Sequence, residues 1–244
     1  MVVFSLNSEI THSICRQLSA DNNDIHLIET SDGSHSLFVR SLNETYHSRH
    51  GAMQESQWVF IKQGLDHLQE SKKTRIHEVG FGTGLNGLLA MRWAEEHQVH
   101  VHFTTLETNV LSLELAGQLN YASSEQECSV FLNMHAALWN QDIVITPHFT
   151  LHKAQRAVQD EEAENQYDVV FYDAFGPPTQ PEMWTLAIFQ RMYAALKPGG
   201  IFVTYCAKGQ VRRDLQAAGF TVERLPGPPG KREMLRATKP LLHG

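Results

Sequence analysis

Two segments carry side chains whose types and spacing suit chemistry. The first is Glu78-Val79-Gly80-Phe81-Gly82-Thr83-Gly84, three glycines at alternate positions after an apolar run. Glycine there turns the chain tightly and lets a ligand touch backbone with no Cβ between. A helix that follows such a loop offers free N–H groups and the positive end of its dipole, a seat for an anionic group. The second segment is Phe171-Tyr172-Asp173-Ala174-Phe175-Gly176-Pro177-Pro178-Thr179-Gln180-Pro181-Glu182-Met183-Trp184. Its carboxylate follows an apolar strand, and its prolines stiffen the chain beyond. Phe175 and Trp184 offer aromatic surface that could flank a base or an amine; simple packing is the plainer reading of Trp184. About 20 residues past the glycine loop, Glu107 ends the next apolar run, the place of an acid that accepts ribose hydroxyls.

A carboxylate seat, a ribose acid and an acid at a strand end together suit S-adenosylmethionine, whose ammonium Glu78 could face. Transfer from its sulfonium needs little activation of the leaving group. The protein must position an acceptor and control its protonation, and Asp173 could take or relay a proton from an amine. Gly82 to Gly87 also spells G-x-G-x-x-G, the dinucleotide fingerprint, but the strand should end immediately before the first glycine, which it does not.

These residues need a scaffold, and the pattern supplies one. Ile25 to Glu29 and Leu37 to Arg40 read as short strands around the turn Ser31-Asp32-Gly33. Gln54 to Gln69 has apolar residues at helical spacing: Trp58, Ile61, Leu65, Leu68. Strands and helices then alternate. Strands are expected at Ile76–Val79, Val101–Glu107, Phe149–Leu151, Tyr167–Asp173 and Ile201–Tyr205. Helices are expected at Leu85–Glu95, from Val110 onward, at Lys153–Asp160, at Met183–Leu196 (stopped by Lys197-Pro198-Gly199-Gly200) and at Val211–Ala218. Phe220–Leu225 and Arg232–Ala237 close the chain as two strands around a Pro/Gly turn at 226–230. The alternation implies an α/β fold: a doubly wound, mostly parallel sheet with an antiparallel last strand. The division expected is an N-terminal β/α extension over 1–70 and a core over 71–244. The segment Phe149 to Ala154 lacks the acid that commonly meets an adenine amino group in such folds.

Of 244 residues, 42% are hydrophobic and 19% charged, ordinary for a globular protein. The net charge of −7 argues against coating nucleic acid by bulk electrostatics, though a local basic face is enough for an enzyme acting on it. Cys15, Cys128 and Cys206 make neither a disulfide framework nor a metal motif, and the fourteen histidines contain no H-E-x-x-H pair. Met1 to Ile10 lacks the features of a secretory signal, and no apolar run approaches a membrane span. A cytoplasmic location is expected.

The motifs resemble one family closely, the methyltransferase domain of MnmC-type tRNA-modifying enzymes. Glu44-x-Tyr46-His47-Ser48-x-x-Gly51-Ala52-x-x-Glu55-Ser56-x-x-Val59-Phe60-Ile61 looks like its N-terminal signature. Glu78 to Leu88 looks like its cofactor loop, and Asp173-x-Phe175-x-Pro177-x-x-x-Pro181-x-Met183-Trp184 its acceptor loop. Gly209-x-Val211-Arg212-Arg213-x-Leu215-x-x-Ala218-Gly219-Phe220 and Gly230-Lys231-Arg232-Glu233-Met234-Leu235 look like its C-terminal blocks. The resemblance implies methylation of the exocyclic amine of 5-aminomethyluridine, often 2-thiolated, at the tRNA wobble position. It implies an acceptor site of Asp173, Phe175 and Pro177. The cofactor residues it implies are Tyr46, Glu55, Glu78, Gly80, Gly82, Thr83, Gly84, Asn86, Glu107 and Asp173. Arg212, Arg213, Lys231, Arg232 and Arg236 are candidates for an RNA face. Many family members continue into a flavin oxidase domain; this sequence ends at Gly244 without one, so a stand-alone methyltransferase is expected. An aminopropyltransferase or a methyltransferase acting on a small amine is the alternative, though the former's acceptor sites tend to hold more acids. A non-catalytic cofactor- or RNA-binding module is a third reading. A nicotinamide dehydrogenase comes last.

Overall fold

The computed structural model describes residues 24–68 and 71–241. Met1 to Ile10, Cys15 and Gln69 lie outside the described residues. A small antiparallel sheet comes first, of β1 (Ile25–Glu29), β2 (His35–Val39) and β3 (Glu44–Thr45), one strand more than the sequence pattern suggests. The expected helix from Gln54 is not one regular helix. It starts as α1 (Ala52–Ser56), widens into a π-helical turn at Gln57–Lys62 and ends in a 3₁₀ turn at Leu65–His67. The widening, marked by Gln63 N–H bonding to Trp58 O, lets Val59, Phe60 and Ile61 all turn inward.

The core is an eight-stranded sheet in the order β10-β11-β9-β8-β4-β5-β7-β6. Its parallel strands are β4 (Lys73–Val79), β5 (His100–Leu106), β7 (Phe149–Ala154), β8 (Tyr167–Tyr172) and β9 (Leu196–Thr204). β11 (Glu233–Thr238) runs antiparallel to both β9 and β10 (Thr221–Pro226), the ending that the terminal strand–turn–strand pattern implies. β6 (Asp142–Thr146) adds an antiparallel edge beside β7. The sequence reading passes over it because an edge strand with little buried surface shows no inward–outward contrast. The helices are α2 (Leu85–His97), α3 (Leu113–Ala116), α4 (Glu125–Ala136), α5 (Leu186–Ala195) and α6 (Gly209–Ala217). Among the described residues, no helix is long and apolar enough to cross a membrane.

Strand alternation divides the apolar residues into two layers. Val169 and Phe171 of β8 pack with α2 and the π-helical turn, whereas Val170 and Tyr172 pack with α5 and α6. Two sequence expectations need correction here. Lys153–Asp160 is not a helix: Lys153 and Ala154 finish β7, paired with Thr105 and Leu106, and only Val158–Asp160 makes a 3₁₀ turn. Lys197 to Gly200 does not merely stop a helix; α5 ends at Ala195 and these residues open β9, with a register shift against β8. From β4 the chain winds one way through β5 and β7, and from β8 the other way through β9. The crevice between β4 and β8 at the strands' carboxyl ends is the topological switch point, where such sheets bind ligands.

Candidate active site

A cavity opens at that crevice, lined by residues from the glycine loop, the ends of β5, β7 and β8, and the N-terminal extension. The loop leaves β4 at Gly80, whose N–H bonds Leu106 O. Gly80 (φ 93°) and Gly82 (φ 48°) take left-handed conformations. A Cβ on Gly80 would lie 3.1 Å from Asp173 O and one on Gly82 3.0 Å from Tyr46 Cδ1, so the spacing of these glycines is set by close neighbours on both sides. α2 then begins with no side-chain cap, and the N–H groups of its first turn stay open to a ligand. Thr83 is held from two sides: its hydroxyl is hydrogen-bonded to His47 Nε2 at 2.6 Å, and its carbonyl to His135 Nε2 at 3.1 Å. Burial pushes His47 down to about 4, so a neutral ring makes this anchor.

Glu107, just past β5, accepts N–H bonds from Gly82 at 2.9 Å, Thr108 at 2.8 Å and Asn109 at 2.7 Å. Burial raises its carboxyl above the ordinary range and these bonds oppose the rise. The carboxylate lines the cavity in the place expected for a ribose acid. Arg156, Ala157, Val158 and Gln159 also line the cavity. The sequence reading missed them because it gave that stretch to a helix; the abrupt loss of β-pattern after Ala154 was the available signal.

Asp173 follows β8 directly, with its N–H on Val79 O at 3.1 Å and its Oδ2 accepting from Asn86 Nδ2 at 2.8 Å. Burial, and next the Glu55 carboxylate, push the Asp173 carboxyl up to about 7; the Asn86 bond and Lys231 pull the other way. Phe175 meets the Tyr46 ring edge-on with centroids 5.1 Å apart, and both line the cavity. Trp184 does not flank a ligand. It is buried against Tyr172 and Phe189, and its Nε1 holds Phe175 O at 2.7 Å, so the packing reading holds for it.

Of the sequence candidates, the structure brings Tyr46, Gly80, Gly82, Thr83, Asn86, Glu107, Asp173 and Phe175 to the cavity wall; Glu55, Glu78, Gly84 and Pro177 do not line it. Pro177 shapes the turn behind Phe175. Gly84 begins α2 beneath the loop, where a Cβ would meet His135. Glu78 is fully buried near the end of β4. Glu55 is buried rather than exposed: its Oε2 accepts from Ser48 N–H at 2.8 Å, and its Oε1 is paired with Lys231, whose ammonium lies 3.8 Å from the Tyr205 ring centroid. Lys231 is thus committed to Glu55 and the Tyr205 ring. Arg236 is likewise committed, to Glu223 and Gln63. Arg212, Arg213 and Arg232 have no carboxylate partner among the described residues.

The open helix start, the Glu107 carboxylate and the wall at 156–159 fit S-adenosylmethionine, and Asp173 stands at one end of the space they define. A doubly wound sheet with this loop at its switch point is the arrangement of a class I methyltransferase, and residues 126–240 match the family described as S-adenosyl-L-methionine-dependent methyltransferase. The chain is also similar to MnmC-type sequences. It is 33% identical over 215 residues to the tRNA 5-methylaminomethyl-2-thiouridine biosynthesis bifunctional protein MnmC of Pseudomonas fluorescens (strain Pf0-1), covering 81% of this chain and 32% of that protein. It is 31% identical to the protein of the same name from Nitrosospira multiformis, covering 84% of this chain and 35% of that protein. The chain thus spans about a third of the length of the curated relatives it matches. The crystal structure of MNMC2 from Aquifex aeolicus superposes with a TM-score of 0.74 at 25% identity, covering 98% of this chain and 79% of that one. Spermidine synthase from Thermotoga maritima shares the fold alone, with a TM-score of 0.58 at 15% identity.

Proposed function

We propose that this enzyme methylates the amine of 5-aminomethyluridine, with or without the 2-thio group, at the tRNA wobble position. The observation that carries the reading is the Asp173 carboxyl on a cavity wall that also holds the aromatic pair Tyr46 and Phe175, with burial raising that carboxyl to about 7. A primary amine arrives largely as an ammonium, which has no lone pair to attack with. A carboxyl that titrates near neutrality can take that proton. The aromatic pair gives a base a surface to stack on.

Bound S-adenosylmethionine supplies a methyl group already attached to a positive sulfur. Asp173 accepts one proton from the substrate ammonium and so frees the lone pair that would take the methyl group. Asp173 then passes its proton to solvent at the cavity mouth. Glu107 would hold the ribose, the first turn of α2 the carboxylate, and Gln159 with the Ala157–Val158 backbone the adenine, in place of the missing acid. The extension up to about residue 70 walls the site through Tyr46 and His47. Arg212, Arg213 and Arg232 contact tRNA phosphates, and a tRNA substrate places the work in the cytoplasm. Charge reversal at Arg212 and Arg213 that left tRNA affinity unchanged would remove this face from the account.

The test uses labelled S-adenosylmethionine and tRNA from cells lacking the modification, followed by digestion to nucleosides. Label on 5-methylaminomethyluridine, absent with Asp173→Ala, is the expected result. No label in tRNA while the cofactor still binds would overturn the substrate, and small amines would be examined in its place.

A further inference from the structure

Gly80, Gly82 and Gly84 all have positive φ, so the loop that meets the methyl donor is built on its three most permissive residues. Glycine gives up more conformational freedom on ordering than any other residue, and a run of this kind keeps one shape only where its surroundings hold it. The core holds part of it: Gly80 N–H bonds Leu106 O, Gly82 N–H bonds Glu107 Oε2, and His135 Nε2 meets Thr83 O. A further bond reaches the loop from the N-terminal sheet, where His47 Nε2 meets the Thr83 hydroxyl at 2.6 Å.

His47 lies two residues past β3, and its own peptide is fixed on both sides. Its N–H bonds Ser36 Oγ on β2 at 3.0 Å, and its C=O accepts from Thr45 Oγ1 at 2.7 Å. The small sheet thus sets where the ring points. His47 and Thr83 are both buried, where breaking a hydrogen bond leaves a polar group without a partner. The preceding residue bears on the loop as well: a Cβ on Gly82 would stand 3.0 Å from Tyr46 Cδ1. Two consecutive residues after β3 therefore bear on two consecutive residues of the glycine loop. We propose that His47 is a positioning residue for the methyl donor: through the Thr83 hydroxyl it holds the glycine loop in the shape that receives S-adenosylmethionine. The N-terminal sheet then contributes to donor affinity by preorganising the loop, not by a contact of its own with the donor. This holds whichever amine accepts the methyl group.

Calorimetric titration of the full chain with S-adenosylhomocysteine tests it as a double-mutant cycle. His47→Leu removes the ring's hydrogen bond and leaves an apolar side chain in its place; Thr83→Val removes only the hydroxyl. Each should weaken binding about fivefold, the worth of one such bond. The double variant should bind within about twofold of either single one, since both changes break the same bond. His47→Gln, whose amide reaches the place of Nε2, should restore affinity to within about twofold of wild type. Losses that multiply in the double variant overturn the proposal, because His47 would then act independently of Thr83. An unchanged affinity in His47→Leu overturns it too, because the loop would keep its shape unaided. So does a loss in His47→Gln as large as that in His47→Leu, because the ring's bulk and not its hydrogen bond would then matter. If His47→Leu fails to fold, His47→Asn, whose amide stops short of Thr83, takes its place in the cycle.

Discussion

Asp173→Asn should stabilise the folded protein at alkaline pH while abolishing its chemistry. The carboxyl titrates at 3.8 in an unstructured chain and at about 7 in the fold. A raised value means that proton uptake favours the folded state. That contribution is complete below 3.8 and is lost as pH rises through about 7. A shift of about three units corresponds to a ceiling of about 4 kcal/mol. The carboxyl faces a cavity that water enters, so the realised effect is smaller, about 1–2 kcal/mol. Asparagine keeps an oxygen for the Asn86 N–H at nearly the same volume, so little else changes. Urea denaturation of ligand-free wild type and variant across this range measures the difference. It should be near zero at the acid end, grow between 3.8 and about 7, and level off above. A difference that does not depend on pH, or a variant less stable than wild type at alkaline pH, refutes the electrostatic picture of the site. The same variant should lose methyl transfer by about 10²–10⁴-fold, the usual worth of a proton-transfer group.

Three further outcomes follow from the geometry. Gly82→Ala must place its Cβ against Tyr46 at a positive φ, so calorimetry should show weakened S-adenosylhomocysteine binding and melting a stability loss of about 1–2 kcal/mol. Gln159→Leu removes the amide from the cavity wall and should weaken S-adenosylhomocysteine several-fold, about 1 kcal/mol, with unchanged stability. Lys153 is buried with its ammonium on His135 O and over the Trp139 ring, and burial lowers it to about 8 from 10.5. The folded state therefore sheds this proton first, so wild type should gain stability relative to Lys153→Met as pH rises from 8 to 10.5, read by denaturation at a pH series.

The glycine loop, Glu107 and Asp173 were legible in the sequence because each sits at a strand end within a local pattern: an apolar run, a break, a helix. What was not legible depended on contacts distant in sequence. Glu55 and Lys231 are 176 residues apart, and nothing local distinguishes them from solvated charges. Glu78 at a strand end reads as an acid facing a ligand; its full burial and its bond from Thr105 on the next strand leave no local trace in the sequence. Lys153 was misread for a related reason. A lysine beside alanine and glutamine favours helix locally, yet pairing with β5 and two aromatic rings keep it in a strand. The π-helical turn at Gln57–Lys62 likewise answers to the core that receives Val59 to Ile61, not to the propensities of those residues.

The most direct measurement is a crystal structure with S-adenosylhomocysteine bound. The account predicts its carboxylate on the first turn of α2, its ribose hydroxyls on Glu107, its adenine against residues 156–159 and its sulfur toward Asp173. A ligand seated in the reverse direction, or with its sulfur turned away from Asp173, would contradict the assignment of the acceptor site.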